Sequence, residues 1–125
     1  MTRYPGLTLR ILAPGAAAMG PGKADLLERI ARTGSISAAA REMDMSYRRA
    51  WQLVESMNAA FTGPLVTTAI GGRRGGGAEV TPLGLDLLAR FRRMESSASK
   101  AIATDLKRFS ARLKPPAARR RRSGT

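Results

Sequence analysis

Two arginine pairs stand out in a chain that has no cysteine and no histidine: Arg48-Arg49 within SYRRAWQ, and Arg73-Arg74 inside GGRRGGG. A guanidinium presents a planar fork of donors that matches phosphate oxygens and the O6/N7 edge of guanine, and a glutamine such as Gln52 can pair with adenine in the same way. Without thiol or imidazole the chain lacks thiolate nucleophiles, the commonest acid–base group and the usual zinc and haem ligands. The expectation is therefore a binding protein and not an enzyme, with no catalytic residue, no metal and no cofactor. Its chemistry is the recognition of a polyanion.

Composition agrees. Lysine and arginine total 22 against 9 acidic residues in 125, for a net charge of +13 and an isoelectric point near 11.7. Such a balance favours nucleic acid first and an anionic membrane surface second. No apolar run approaches the ~20 residues that a bilayer-spanning helix needs, so no membrane partner is expected and the chain is read as cytoplasmic and nucleoid-associated. The length suits one modest core. The charge is uneven, because residues 100–125 carry nine basic residues and one acidic.

The elements that must hold the arginines follow from pattern. Leu7–Leu12 alternates leucine or isoleucine with Thr8 and Arg10, which predicts a short strand with one buried face. Ala13–Gly22, with two prolines and three glycines, reads as a connector. From Lys23 a first helix places Leu26, Leu27, Ile30 and Ala31 on one face and Asp25, Glu28, Arg29 and Arg32 on the other, and stops at Gly34. Ser35 or Ser37 caps a short alanine-rich second helix running to about Met43. After the brief Asp44-Met45 break, Ser46 caps a third helix over residues 46–61. Three helices so spaced make a helix-turn-helix.

On the third helix Ala50, Leu53, Val54, Met57 and Phe61 cluster on one side, and Arg48, Arg49, Gln52 and Ser56 on the other, with Tyr47 and Trp51 between. The polar side is basic near the N-terminal end, where a recognition helix enters the major groove. Arg48, Arg49 and Gln52 are the candidates for base edges or phosphates. Ser46 reads first as a cap that also meets phosphate, Tyr47 divides evenly between phosphate contact and packing, and Trp51 and the methionines read as packing.

Leu65–Ile70 and Ala78–Thr81 are strand-like and flank the glycine–arginine stretch, which predicts a hairpin, or wing, over residues 65–81. A nucleotide loop needs a helix directly after it with GxGxxG or a terminal Gly-Lys-Ser/Thr, and neither spacing occurs. The phosphates that Arg73 and Arg74 face are thus those of a DNA backbone or a narrow minor groove. A solvated turn is the plainer alternative.

Thr81 caps and Pro82 opens a long helix expected over residues 82–114. Its apolar positions Leu87, Phe91, Met94, Ala98, Ile102, Leu106, Phe109 and Leu113 form a stripe that suits pairing with a second copy. Residues 115–125, with four consecutive arginines, read as a disordered basic tail. The fold class is mainly α with a small β component: a winged helix-turn-helix over residues 1–81 followed by a dimerisation helix.

GSISAAAREMDMSYRRAWQLVESMN followed by AIGGRRGGGAEVTPLG resembles the N-terminal DNA-binding domain of the ModE family of molybdate-responsive bacterial regulators, which is similar to LysR-type winged domains. The resemblance covers Leu7 to about Leu113. It implies a transcription regulator, dimeric through its first strand region and last helix, with Ser46, Tyr47, Arg48 and their neighbours facing the operator. Asp44 stands where such turns commonly carry glycine, and Arg74 stands where the family's wing usually has glycine. The chain ends in a basic tail where that family continues into oxyanion-binding domains, so neither molybdate sensing nor a small-molecule effector site is carried over. The expected partners are double-stranded DNA and a second copy of the chain. The alternatives are an architectural DNA-coating protein of little sequence preference, and a partner that modulates a full-length ModE-type regulator.

Overall fold

A computed structural model of the chain describes residues 6–69 and 77–115. The order is β1 (Ile11–Ala13), β2 (Ala16–Met19), α1 (Pro21–Thr33), α2 (Ile36–Glu42), α3 (Tyr47–Ala60), β3 (Val66–Ala69), β4 (Gly77–Val80), α4 (Pro82–Ala101) and α5 (Ala103–Ser110). The fold is mainly α with two small antiparallel hairpins, β1–β2 and β3–β4.

The first hairpin replaces the expected connector. Pro14 and Gly15, with φ +86 at the glycine, form the two-residue link between strands that pair Leu12 with Ala17 and Ala13 with Ala16. Proline followed by a positive-φ glycine is turn chemistry, so the same residues that mark a break in pattern close a ribbon. The strand expected over Leu7–Leu12 accordingly lies at Ile11–Ala13. Alanine has little strand propensity; burial of Ala18 and Met19 in the core favours β2 here.

Helix boundaries follow capping chemistry. Pro21 occupies the first turn of α1, two residues ahead of the expected start, and Gly34 ends it in the left-handed region at φ 70, donating its N–H to Ile30 O at 2.8 Å. The Ser35 hydroxyl accepts from Ala38 N–H and the Ser46 hydroxyl from Arg49 N–H, each at 3.0 Å, so Ser35 is the cap of α2 and Ser46 that of α3. Asp44, φ 57, takes the left-handed turn between them, as aspartate does more readily than most residues.

Leu26, Leu27, Ile30, Ile36, Val54, Met57, Leu65 and Phe91 fill the core, with Ala39, Ala40 and Ala50 allowing α2 and α3 to approach. Two polar ties fix the parts around it. Asn58 donates Nδ2–H to Val66 O at 2.9 Å and accepts from Leu65 and Val66 N–H at 2.8 and 3.1 Å, fastening α3 to the start of β3. Arg92 of α4 reaches Asp25 Oδ1 at 2.7 Å, Glu28 Oε1 at 2.9 Å and Glu95 Oε1 at 2.9 Å, fastening α4 to α1. Asp25, expected on the solvent face, is therefore buried as an ion-pair partner, and Ala31 is exposed instead.

The long helix is not continuous: α4 ends at Ala101, Ile102 sits at φ −104, ψ 7, and α5 follows. No residue of α5 is buried, so tertiary packing does not hold α4 and α5 on one axis. Leu106 turns instead against Gly6, where an added Cβ would stand 2.8 Å from Leu106 Cδ2.

Gly84 lets α4 lie close against Leu65 and the second hairpin, for a Cβ there would meet Leu65 O at 2.5 Å and Val80 Cγ1 at 2.7 Å. Gly84→Ala, which in an open helix gains propensity, should here lower stability by roughly 1–3 kcal/mol. Urea unfolding followed by circular dichroism checks this, and a stabilised variant would show that α4 sits farther from the hairpin.

Candidate nucleic-acid interface

The exposed side of α3 is set by what its other side buries. Ala50, Val54 and Met57 are at most 1% exposed, and Leu53 and Phe61 pack partly against the same core. With 100° between successive residues, that seating turns Arg48 and Gln52 directly outward and Arg49 to the flank, while Ser46, the cap, and Tyr47 are exposed because they lie at the open N-terminal end of the helix. Tyr47 is 56% exposed and lies outside the buried core. Trp51 is half-buried beside the core, as expected of a packing residue.

Charge is sorted across the surface. Arg29 and Arg32 pair with Glu42 of α2, Arg90 with Asp86, and Arg92 with three carboxylates. Arg48 and Arg49 have no carboxylate within ion-pair distance among the described residues, and neither does Arg10. Both α3 arginines sit in a helical first turn that contains no acidic residue, where the macrodipole is itself positive.

Beside α3 lies a groove of about 720 Å³ between the first hairpin and the helix, lined among others by Arg10, Lys23, Arg49, Gln52 and Ser56. Lys23 projects into it from α1, donating to Ala17 O at 2.7 Å and to Ser56 Oγ at 3.0 Å. Its pKa is lowered from the ordinary 10.5, by desolvation first and then by the charges of Arg10 and Arg49. Arg10 and Lys23 escape sequence reasoning, one as an interruption of an apolar alternation and the other as a helix start. A signal for Lys23 was present, since a lysine in the first turn of a helix opposes the macrodipole.

The second hairpin pairs Val66 with Val80 through Ala69 with Gly77, so the wing expected over residues 65–81 has its two strands. It is anchored to the helices by Ala78 N–H donating to Gly34 O at 2.9 Å. Arg73 and Arg74, at its expected tip, lie outside the described residues, as does the arginine run of the tail.

A three-helix unit with a capped, outward-facing basic helix and a following β-ribbon has known counterparts. The model for bacterial regulatory helix-turn-helix proteins of the lysR family matches residues 23–85. The chain belongs to that family. Among curated relatives of this lysR-family chain, the molybdenum-pterin-binding protein MopB of Rhodobacter capsulatus is 45% identical over 94 residues, covering 75% of this chain and 35% of the relative. The DNA-binding transcriptional dual regulator ModE of Escherichia coli (strain K12) is 37% identical over 82 residues, 66% of this chain and 31% of the relative. The lysR-family chain thus spans about a third of the length of these relatives. Its fold resembles that of the protein in the CbnR_DBD–DNA complex, with a TM-score of 0.53 at 23% identity, over 73% of this chain and 97% of that one. The lysR family is one of DNA-binding regulators and not of catalysts.

The lowered pKa of Lys23 has a defined consequence for stability. Between that lowered value and 10.5 the unfolded chain binds more protons at Lys23 than the folded chain, so its contribution to stability rises with pH through this window. Urea unfolding across alkaline pH should show the native chain gaining on Lys23→Met. Parallel curves would mean that Lys23 is neither desolvated nor crowded by Arg10 and Arg49.

Proposed function

We propose that this lysR-family domain acts as a sequence-specific transcriptional regulator that binds double-stranded DNA as a homodimer, with α3 in the major groove and the β3–β4 wing on the adjacent backbone or minor groove. The observation that carries the reading is the exposed N-terminal end of α3, where Arg48, Arg49 and Gln52 stand without carboxylate partners among the described residues beside exposed Ser46 and Tyr47, on a helix whose other side is buried. A helix with its side chains is about 10–12 Å across, close to the ~12 Å width of the major groove. Arg48 and Gln52 are assigned to base edges; Ser46, Tyr47 and Arg49 are assigned to phosphates. Arg73 and Arg74 supply charge from the wing tip.

Pairing is assigned to α4 and α5. Met94 is 42% exposed and Phe109 68%, as is much of Leu113, and Leu87, Ala98, Ile102 and Leu106 are half-exposed along the same run. Phe91, counted in the stripe on spacing, is 1% exposed and belongs to the chain's own core, so it supports the helix and does not meet a partner. Met94 also borders an apolar cleft of about 450 Å³ lined by Ile11, Met19, Phe61 and Leu87. A second copy seated there sets two α3 helices against half-sites about one duplex turn, ~34 Å, apart.

Arg48→Ala or Gln52→Ala should weaken binding to the preferred sequence by about 1–3 kcal/mol and relax preference at one position. Selection of bound sequences from a random duplex pool, with each variant beside the native chain, checks this. An unchanged preference for the Arg48 variant, or a native chain that enriches no sequence, would contradict the reading.

A further inference from the structure

Arg10, Lys23 and Arg49 come from three different elements, the approach to β1, the first turn of α1 and α3, and they line one groove with no carboxylate among the described residues that line it. The Arg10 stem lies across the backbone of Gly20, where an added Cβ would stand 3.5 Å from Arg10 Cγ and 3.8 Å from Nε. Lys23 uses two of its three N–H donors on Ala17 O and Ser56 Oγ, which leaves the third for the groove. The hairpin that forms one wall is the element that the sequence pattern presents as a lone strand followed by a connector.

We propose that this groove seats a phosphodiester of the DNA backbone, gripped by Arg10 and Arg49 and met by the third N–H of Lys23, so that the β1–β2 hairpin clamps the strand running along the flank of α3. The inference rests on the insertion of α3 proposed above. A helix that nearly fills the major groove brings the bounding sugar–phosphate strand against its sides, and the groove is continuous with the row that carries Arg49 and Gln52. A phosphate oxyanion accepts from several donors at once and neutralises a site where three like charges converge. Desolvation and the two neighbouring guanidiniums already weaken the proton affinity of Lys23, and an anion in the groove reverses that bias. Such a contact positions the protein and carries no base information.

The test uses the full chain, a mixed-sequence duplex and a series of salt concentrations, with Arg10→Gln and Arg10→Lys beside the native protein. Arg10→Gln should bind every sequence roughly tenfold less tightly, and the slope of log K against log salt should fall by about 0.9, one phosphate contact. Arg10→Lys should keep most of that slope, and neither variant should melt below the native chain, because Arg10 is exposed and its charge is only opposed by its neighbours. With side-chain amine NMR, the Lys23 titration should move to higher pH when duplex is added. Slope and affinity unchanged in Arg10→Gln, while Arg48→Ala still loses preference, would overturn the phosphate seat and leave the proposed function standing. A native chain that binds no duplex would overturn the proposed function itself. Inorganic phosphate that saturates the Lys23 signal, with the DNA salt slope of Arg10→Gln unchanged, would overturn the seat in favour of a free-anion site.

Discussion

Helix α3 has one permitted rotation, and the surface of the domain depends on it. Ala50, Val54 and Met57 leave no room between α3 and the helices beneath it, and a helix cannot bury one stripe without presenting the opposite one. Asn58 adds a directional constraint, because its amide satisfies three backbone groups at the start of β3 and would leave them unpaired if α3 turned or slid. The small side chains of α2 and the left-handed turn at Asp44 set the angle at which the two helices meet. Arg48, Arg49 and Gln52 are thus aimed by residues that touch no ligand.

Ion pairing follows a division of labour. Where cations hold the fold together they are matched: Arg92 with Asp25 and Glu28 between α1 and α4 and with Glu95 within α4, and Arg29 and Arg32 with Glu42 between α1 and α2. Around the exposed face of α3 they are not. Arg10, Lys23, Arg48 and Arg49 gather near helix N-termini without acidic first turns, an arrangement that costs stability in the free protein. A polyanion converts that cost into binding energy and a steep salt dependence.

Much of the architecture was legible because the chain writes its own punctuation. Ser46, Thr81-Pro82 and Gly34 mark helix ends by local hydrogen bonding and backbone preference, which need no tertiary partner. The basic row on α3 followed from its apolar stripe in the same way, and the two strands of the wing from β-branched residues around glycines. The features that escaped are those decided by distant contacts. The β1–β2 hairpin uses alanines that only burial turns into a strand, Asp25 is drawn inward by an arginine 67 residues away, and Phe91 sits in the stripe by spacing but in the core by contact. The break at Ile102 escaped because spacing continues through it while packing does not. Arg10 and Lys23 are remote from α3 in sequence, and only the hairpin and α1 bring them beside it.

The most direct measurement of the central claim is a map of backbone and arginine side-chain NMR shifts on adding a mixed-sequence duplex to the full chain. Changes concentrated at Ser46 to Gln52, and extending along Arg10 and Lys23, are the expected result. Changes centred on α4 around Leu85 and Met94, with Arg48, Arg49 and Gln52 unmoved, would contradict the account.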